Sequence, residues 1–419
     1  MPRLTSSVLT AALAAPLLTL GAGAAAGAAT GAAPAVGPRS TPARQIAHTQ
    51  WDTPEQLAVG AVAGGARVVD GRVALTPGAA TGSWRSPWTR PTFALTELVA
   101  SWSARTPGDS DLRVQVRGRA AGRTSSWDTL ALWAAGDTYV QRRTFSGQTD
   151  DLGSVAVDTW RAPTGAAAYQ LRVVLSRRVP PGGSSLGRSP SLDTVGAVAS
   201  RLPDTTDVPT SRPGVARGIL LNVPRYSQMV HDGEYPQYGG GGEAWCSPTS
   251  TSMVLGYYGA LPRPRAYSWV SPSYSERWVD HAARMTYDHD YDGTGNWPFN
   301  TAYAAGLAGH GFVTRLHSLR DAEVLVKAEI PVVASIAFAP GQLDGAPIGA
   351  SNGHLVVIVG FTPTGDVIVN DPAAQRDGGV RRTYDRGQFE DAWLPRSGGT
   401  AYVITDGAHP LPAGGNGAW

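Results

Sequence analysis

The hydrophobic period of this chain changes once, near residue 203, and that change limits the folds open to it. From Gln45 to Leu202 apolar and polar residues alternate in short runs, at 66–75 (ARVVDGRVAL), 93–104, 111–118, 168–176 and 191–200. Period 2 marks strands with one face in a core and one in water, and the Gly, Pro, Asp and Thr clusters between the runs supply turns. No helical stripe of useful length interrupts them. Residues 45–202 are therefore expected to form an all-β sandwich, jelly-roll-like, as an accessory module. Residues 203–218, PDTTDVPTSRPGVARG, have the polar, Pro-rich composition of a linker. A linker between two complete cores implies that the second half folds and acts alone.

From Ile219 the pattern mixes helices with strands. A short strand is expected in ILLNVPRYSQ, then a helix over 247–258 with Pro248 in its first turn, where a missing N–H costs nothing. Further helices are expected at 300–307 and 321–329, and strands at 331–338, 354–361, 366–370 and 401–405. Residues 219–406 thus read as an α+β domain.

Ahead of both regions, Arg3 and the apolar run Val8–Leu20 precede an Ala/Gly stretch with small-x-small cleavage sites. Residues 1–35 read as a signal peptide, and the protein as secreted. No other run approaches the roughly 18 apolar residues that span a bilayer, so no membrane anchor is expected. The balance of 35 basic and 33 acidic residues, net +2, carries no footprint for nucleic acid.

Against that setting a single cysteine, Cys246 in WCSPTSTSMVLGYYG, is unusual, since an exported chain commonly pairs its thiols. At the first turn of a helix, free N–H groups and the macrodipole favour a thiolate, which suits a nucleophile. A buried structural cysteine is the other reading. Acyl transfer by a thiolate needs an imidazole to take and return a proton, and a group to orient that imidazole. His354 heads the apolar strand HLVVIVGF and Asp371 ends the next one, VIVNDP, so a hairpin could bring the two side chains together. Taken singly, a strand-initial histidine and an Asp before Pro also have ordinary structural uses.

The ordered set VPRYSQ, WCSPTS, GHLVVIVGF and VNDP resembles the papain-like cysteine peptidases related to bacteriocin double-glycine leader peptidases, in a stand-alone secreted form. The resemblance spans residues 219–406. It implies a papain-like fold, Cys246 as nucleophile, His354 as base, Asp371 as its orienter and Gln228 as oxyanion donor. A side-chain amide beside the Cys246 N–H makes a workable oxyanion hole, while an idle surface glutamine is the plainer reading of Gln228. Two departures qualify the likeness. Ser247 stands where glycine is common, and the transporter segments that accompany leader peptidases are not in this sequence, which removes the main reason to expect a double-glycine substrate.

The reading is a cysteine peptidase acting on protein or peptide substrates, without cofactor or metal. Its rivals are a catalytically silent papain-like binding protein and a cell-wall peptide amidase or acyltransferase built on the same residues. Asp288, Asp290 and Asp292 in DHDYDG match half of a calcium loop, but Phe299 stands where a bidentate Glu belongs, and an acidic turn is the alternative. His281 and His289 lack a second thiolate with which to group for zinc. In the first region, Trp84, Trp88, Trp127 and Trp133 would bind a cell-wall or carbohydrate surface if exposed on one face, and are core if buried.

Overall fold

The computed structural model describes residues 43–108, 110–149, 151–179, 185–205 and 207–419. The signal-peptide reading lies outside them. No helix among the described residues is long and apolar enough to cross a membrane.

The first region is all β. One sheet runs in the order Ser154–Ala156, Thr159–Ala166, Leu95–Arg105, Ser191–Arg201, Arg72–Leu75 and Ala66–Val69, with Gln45–Trp51 also paired to Ser191–Arg201. The other runs Arg143–Thr144, Asp128–Trp133, Asp111–Ala120, Ala168–Ser176, Thr81–Arg85 and Ala61–Ala63, with Arg123–Thr124 on the Asp111–Ala120 strand. Every pairing is antiparallel. The run at 66–75 is two strands rather than one, because Asp70 and Gly71 both take positive φ, the conformation that a two-residue hairpin turn needs. Tryptophans join the two sheets. Trp102 meets Trp133 edge-on at 6.1 Å, Trp51 meets Trp84 at 5.6 Å, and Trp160 Nε1 donates to Asp128 at 2.7 Å.

The second region is built on one antiparallel sheet in the order His310–Arg315, Thr400–Thr405, Val332–Phe338, Ser351–Phe361, Val367–Asn370, Arg381–Tyr384. Helix Cys246–Tyr257 packs on the Ser351–Phe361 strand and on helices Trp278–Thr286 and Trp297–Ala308. Helices Leu319–Lys327 and Arg386–Ser397 also lie against the sheet. The strand expected in ILLNVPRYSQ is instead an isolated bridge, Leu220 to Gly360. Pro224 has no N–H to extend a ladder there.

The described residues form one compact unit. Phe299 of helix Trp297–Ala308 stacks against Trp102 and Trp133 of the first region, with ring centroids 6.2 and 5.3 Å apart. Arg142, fully buried, donates to the Ala134 and Gly136 carbonyls and, at 2.6 Å, to that of Arg284. Arg315 pairs with Glu97 at 2.6 Å, and Arg284 binds Asp137 through two nitrogens. The segment between the regions is pinned as well: Ser211 N–H donates to Glu390, and the Gly214 and Ala216 N–H groups donate to Glu323.

Candidate active site

Helix Cys246–Tyr257 starts on the cysteine, with Trp245 as its N-cap. The chain reaches it through the turn Gly242–Ala244, which crosses His231 so closely that a Cβ on Gly242 would lie 2.2 Å from the His231 carbonyl. Cys246 is a free, half-buried thiol at a helix end whose first N–H groups lack intrahelical acceptors. Below it, Ser250 Oγ donates to the Leu355 carbonyl at 2.9 Å, and Ser247 and Tyr402 share a hydroxyl hydrogen bond at 2.9 Å. The first bond fixes the helix to the residue that follows His354.

His354 and Asp371 meet across adjacent strands. Nε2 lies 2.7 Å from Asp371 Oδ1, and both side chains are buried. Asp371 Oδ1 also accepts the Ala373 N–H at 3.0 Å, while Oδ2 accepts the Tyr384 hydroxyl at 2.7 Å. With both oxygens held, the carboxylate cannot rotate away from the ring. Nε2 is committed to Asp371, which leaves Nδ1 as the ring nitrogen that the carboxylate does not engage, and Cys246 is near enough to raise the proton affinity of the imidazole.

Burial by itself lowers the proton affinity of His354, but the Asp371 carboxylate and then Cys246 outweigh it and carry the pKa up to about 10. Burial also opposes ionisation of Asp371. The imidazole charge, Tyr384 and the Ala373 N–H overcome it and hold the carboxyl below its ordinary range.

Gln228 is buried at the head of the 3-10 helix Gln228–His231. Its Nε2 donates to the Glu243 carbonyl at 2.6 Å, in the turn that precedes Cys246, and its backbone N–H donates to Pro372, next to Asp371, at 2.9 Å. One amide hydrogen is used in this way and the second is not. All four residues singled out from the sequence are thus gathered around one helix end.

Sequence reasoning missed Tyr384, which has no motif around it, and it missed the far wall of the cleft. The cleft at Cys246 is lined by Tyr291 and Trp297 of the second region and by Asp158, Thr159 and Arg161 of the first. Val157, at the tip of that turn, has φ +53°, which is costly for a β-branched residue and is found mainly where surrounding structure enforces it. The next residue, Asp158, accepts the Trp297 N–H at 3.0 Å. Burial pushes its carboxyl up to about 6 against that hydrogen bond.

The DHDYDG loop spends its carboxylates on protein. Asp288 accepts the N–H groups of Thr144, Asp290 and Tyr291 and the Asn296 amide, Asp290 pairs with Arg143, and Asp292 accepts the Tyr287 hydroxyl. Trp84 and Trp133 are core residues. Trp88 and Trp127 are half-buried beneath guanidinium groups, Arg119 at 3.9 Å from the Trp88 ring, and Arg117 and Arg172 each at 4.4 Å from Trp127.

Residues 42–200 match the family model described as the peptidase C39 N-terminal domain, and residues 220–401 match the one described as the peptidase C39-like family. No curated protein matches the chain. Among solved structures, the enzymatically active domain of bacteriophage CBA120 tailspike protein 4 shows 12% identity and a TM-score of 0.17 over 38% of this chain and 19% of that one. A likeness that slight carries no argument.

Proposed function

From a chain that carries a peptidase C39-like domain behind a peptidase C39 N-terminal domain, we propose a secreted cysteine peptidase of papain-like fold that hydrolyses peptide bonds in the cleft between the two regions. The observation that carries this reading is the buried His354–Asp371 pair, whose imidazole also feels the charge of Cys246. A helix that opens on a cysteine and packs on the antiparallel strand bearing the histidine supports the papain-like architecture. Export is supported by the basic and apolar start of the sequence.

In this mechanism the Cys246 thiolate attacks the scissile carbonyl carbon while His354 holds the proton on Nδ1. The oxyanion forms against the Cys246 N–H and the free hydrogen of the Gln228 amide. Imidazolium then passes its proton to the departing amine, which leaves an acyl-thioester on Cys246. Water, deprotonated by the neutral imidazole, attacks the thioester, and the thiol departs with the product acid released. Asp371 keeps the ring in one tautomer throughout and offsets its positive charge. Asp158, Thr159 and Arg161, which line the same cleft as Cys246, contact the substrate.

The test is digestion of a mixed peptide library, with new termini read by mass spectrometry. The full chain should generate them, and Cys246→Ala and His354→Ala should generate none. Cleavage that persists in Cys246→Ala would exclude the thiol mechanism. Absence of cleavage by the native chain on every peptide offered would favour the silent binding protein.

A further inference from the structure

We propose that His231, Glu234 and Asp280 bind one divalent cation of the zinc class. His231 ends the 3-10 helix that Gln228 begins, Glu234 lies in the turn after it, and Asp280 stands in the first turn of helix Trp278–Thr286. Their ligand atoms all lie within 4.8 Å of one another, the one such trio among the described residues. His231 Nδ1 is 2.8 Å from Glu234 Oε2 and 3.4 Å from Asp280 Oδ2, and Nε2 is 3.8 Å from Glu276.

The second observation is what remains unmatched. His231 and Asp280 are wholly buried, yet Asp280 Oδ2 and Glu276 Oε2 have only their ion-pair contacts with His231, with no well-formed hydrogen bond, and Asp280 Oδ1 has no partner at all. Three carboxylates face one imidazole, which is the only basic group paired with them among the described residues. A buried negative charge without its counter-charge is expensive, and a divalent cation would supply the difference. Zinc bonds of about 2.0–2.2 Å to nitrogen and carboxylate oxygen place tetrahedral ligands roughly 3.4 Å apart, the spacing found between His231 and Asp280, while Glu234, 2.8 Å from the same nitrogen, would have to draw back by about 0.6 Å to ligate. A ring nitrogen among carboxylates suits zinc or manganese better than calcium, which takes oxygen ligands.

Such a cation would join helix Trp278–Thr286 to the segment that carries Gln228. It would lie behind Trp245, whose ring is 6.1 Å from that of His231 and which directly precedes Cys246. The binding claim is independent of the peptidase reading; only the consequence for Gln228 rests on it.

The experiment uses the full chain carrying Cys246→Ala, so that the lone thiol cannot ligate and catalysis plays no part. Protein stripped with a chelator is titrated with zinc, manganese or calcium chloride while thermal unfolding is followed, and bound metal is counted by elemental analysis. We expect about one zinc per chain, a raised melting temperature with zinc and a smaller rise with calcium. Asp280→Asn should lose both stoichiometric zinc and the shift. A stripped protein that binds no zinc and melts at the same temperature with or without it would overturn the proposal, leaving the cluster as an imidazolium held by carboxylates. So would an Asp280→Asn protein that binds zinc like its parent. If that variant does not fold, the titration of the parent decides.

Discussion

His354 Nε2 and Asp371 Oδ1 meet at 2.7 Å with water almost wholly excluded from both, and Tyr384 closes the far side of the carboxylate. The arrangement favours a proton on Nε2 and leaves Nδ1 as the nitrogen that the proposed mechanism uses. Asp371→Asn keeps an oxygen for that proton but removes the charge, so it should lower kcat substantially while retaining more turnover than His354→Ala. Tyr384→Phe removes one hydrogen bond to a charged, buried group, a loss of about 1.5–3 kcal/mol in stability. It should lower kcat less than Asp371→Asn and leave KM nearly unchanged. Kinetics of the three variants on one peptide check the ranking, and a His354→Ala enzyme at native rate would assign the base to a different histidine.

Gln228 is expected to act only once the oxyanion exists. Its Nε2 already holds the Glu243 carbonyl in the resting protein, which orients the amide without using its second hydrogen. Removal of one oxyanion donor costs about 3 kcal/mol in the chemical step, roughly a hundredfold in rate. Gln228→Ala should therefore depress kcat with KM almost constant. A change confined to KM would place Gln228 in the substrate groove instead.

Stability should follow the titration of His354. Its pKa in the fold is raised to about 10, above the ordinary 6.5 that it regains on unfolding. The stabilisation is then fully present below about pH 6.5 and is lost as pH rises through about 10. The held-down carboxyl of Asp371 adds stability above its ordinary value near 4, which is lost as pH falls below that. The melting temperature of the native chain, measured relative to His354→Gln, should be highest between roughly pH 4 and 6.5 and should decline towards pH 10. A difference that stayed level from pH 6 to 10 would contradict the charged pair.

Much of this was legible in the sequence because it depends on local chemistry. The alternating runs at 111–118 and 168–176 became strands Asp111–Ala120 and Ala168–Ser176, and Pro248 marked the first turn of helix Cys246–Tyr257. His354 and Asp371 could be paired because a hairpin with the short turn Thr362–Asp366 lies between them. Tyr384 was invisible because it reaches Asp371 only through the added strand Arg381–Tyr384, whose sequence RRTY has no apolar alternation. Strand Thr159–Ala166, TWRAPTGA, carries a proline and a register shift that hid it too. The cleft wall at 156–161 belongs to the region that the alternation marked as an accessory module, and no local pattern reports a contact across more than a hundred residues.

That cleft wall bears on the division of labour between the regions. A polar, Pro-rich segment at 203–218 suggests halves that act separately, yet Phe299 sits against Trp102 and Trp133, and Arg142 spends a buried guanidinium on the Arg284 carbonyl. A chain beginning near Arg217 would expose Phe299, strip Arg315 of Glu97 and Arg284 of Asp137, and lose Asp158 from beside Cys246. Full burial of one large aromatic side chain contributes roughly 1.5–3 kcal/mol, and Phe299 loses it together with the partners of Arg284 and Arg315, against a total stability of about 5–15 kcal/mol. The truncated protein should therefore aggregate, or lack a cooperative melting transition, and should not cleave small soluble peptides that the full chain cleaves. A milder version keeps the fold: Asp158→Ala frees the Trp297 N–H and relaxes the Val157 turn, and should raise KM more than it lowers kcat. Calorimetry and peptide kinetics on both proteins decide the matter. If the truncated form melts cooperatively and turns over small peptides at the full-length rate, the first region is a separable module and the cleft wall at 156–161 has no part in binding substrate.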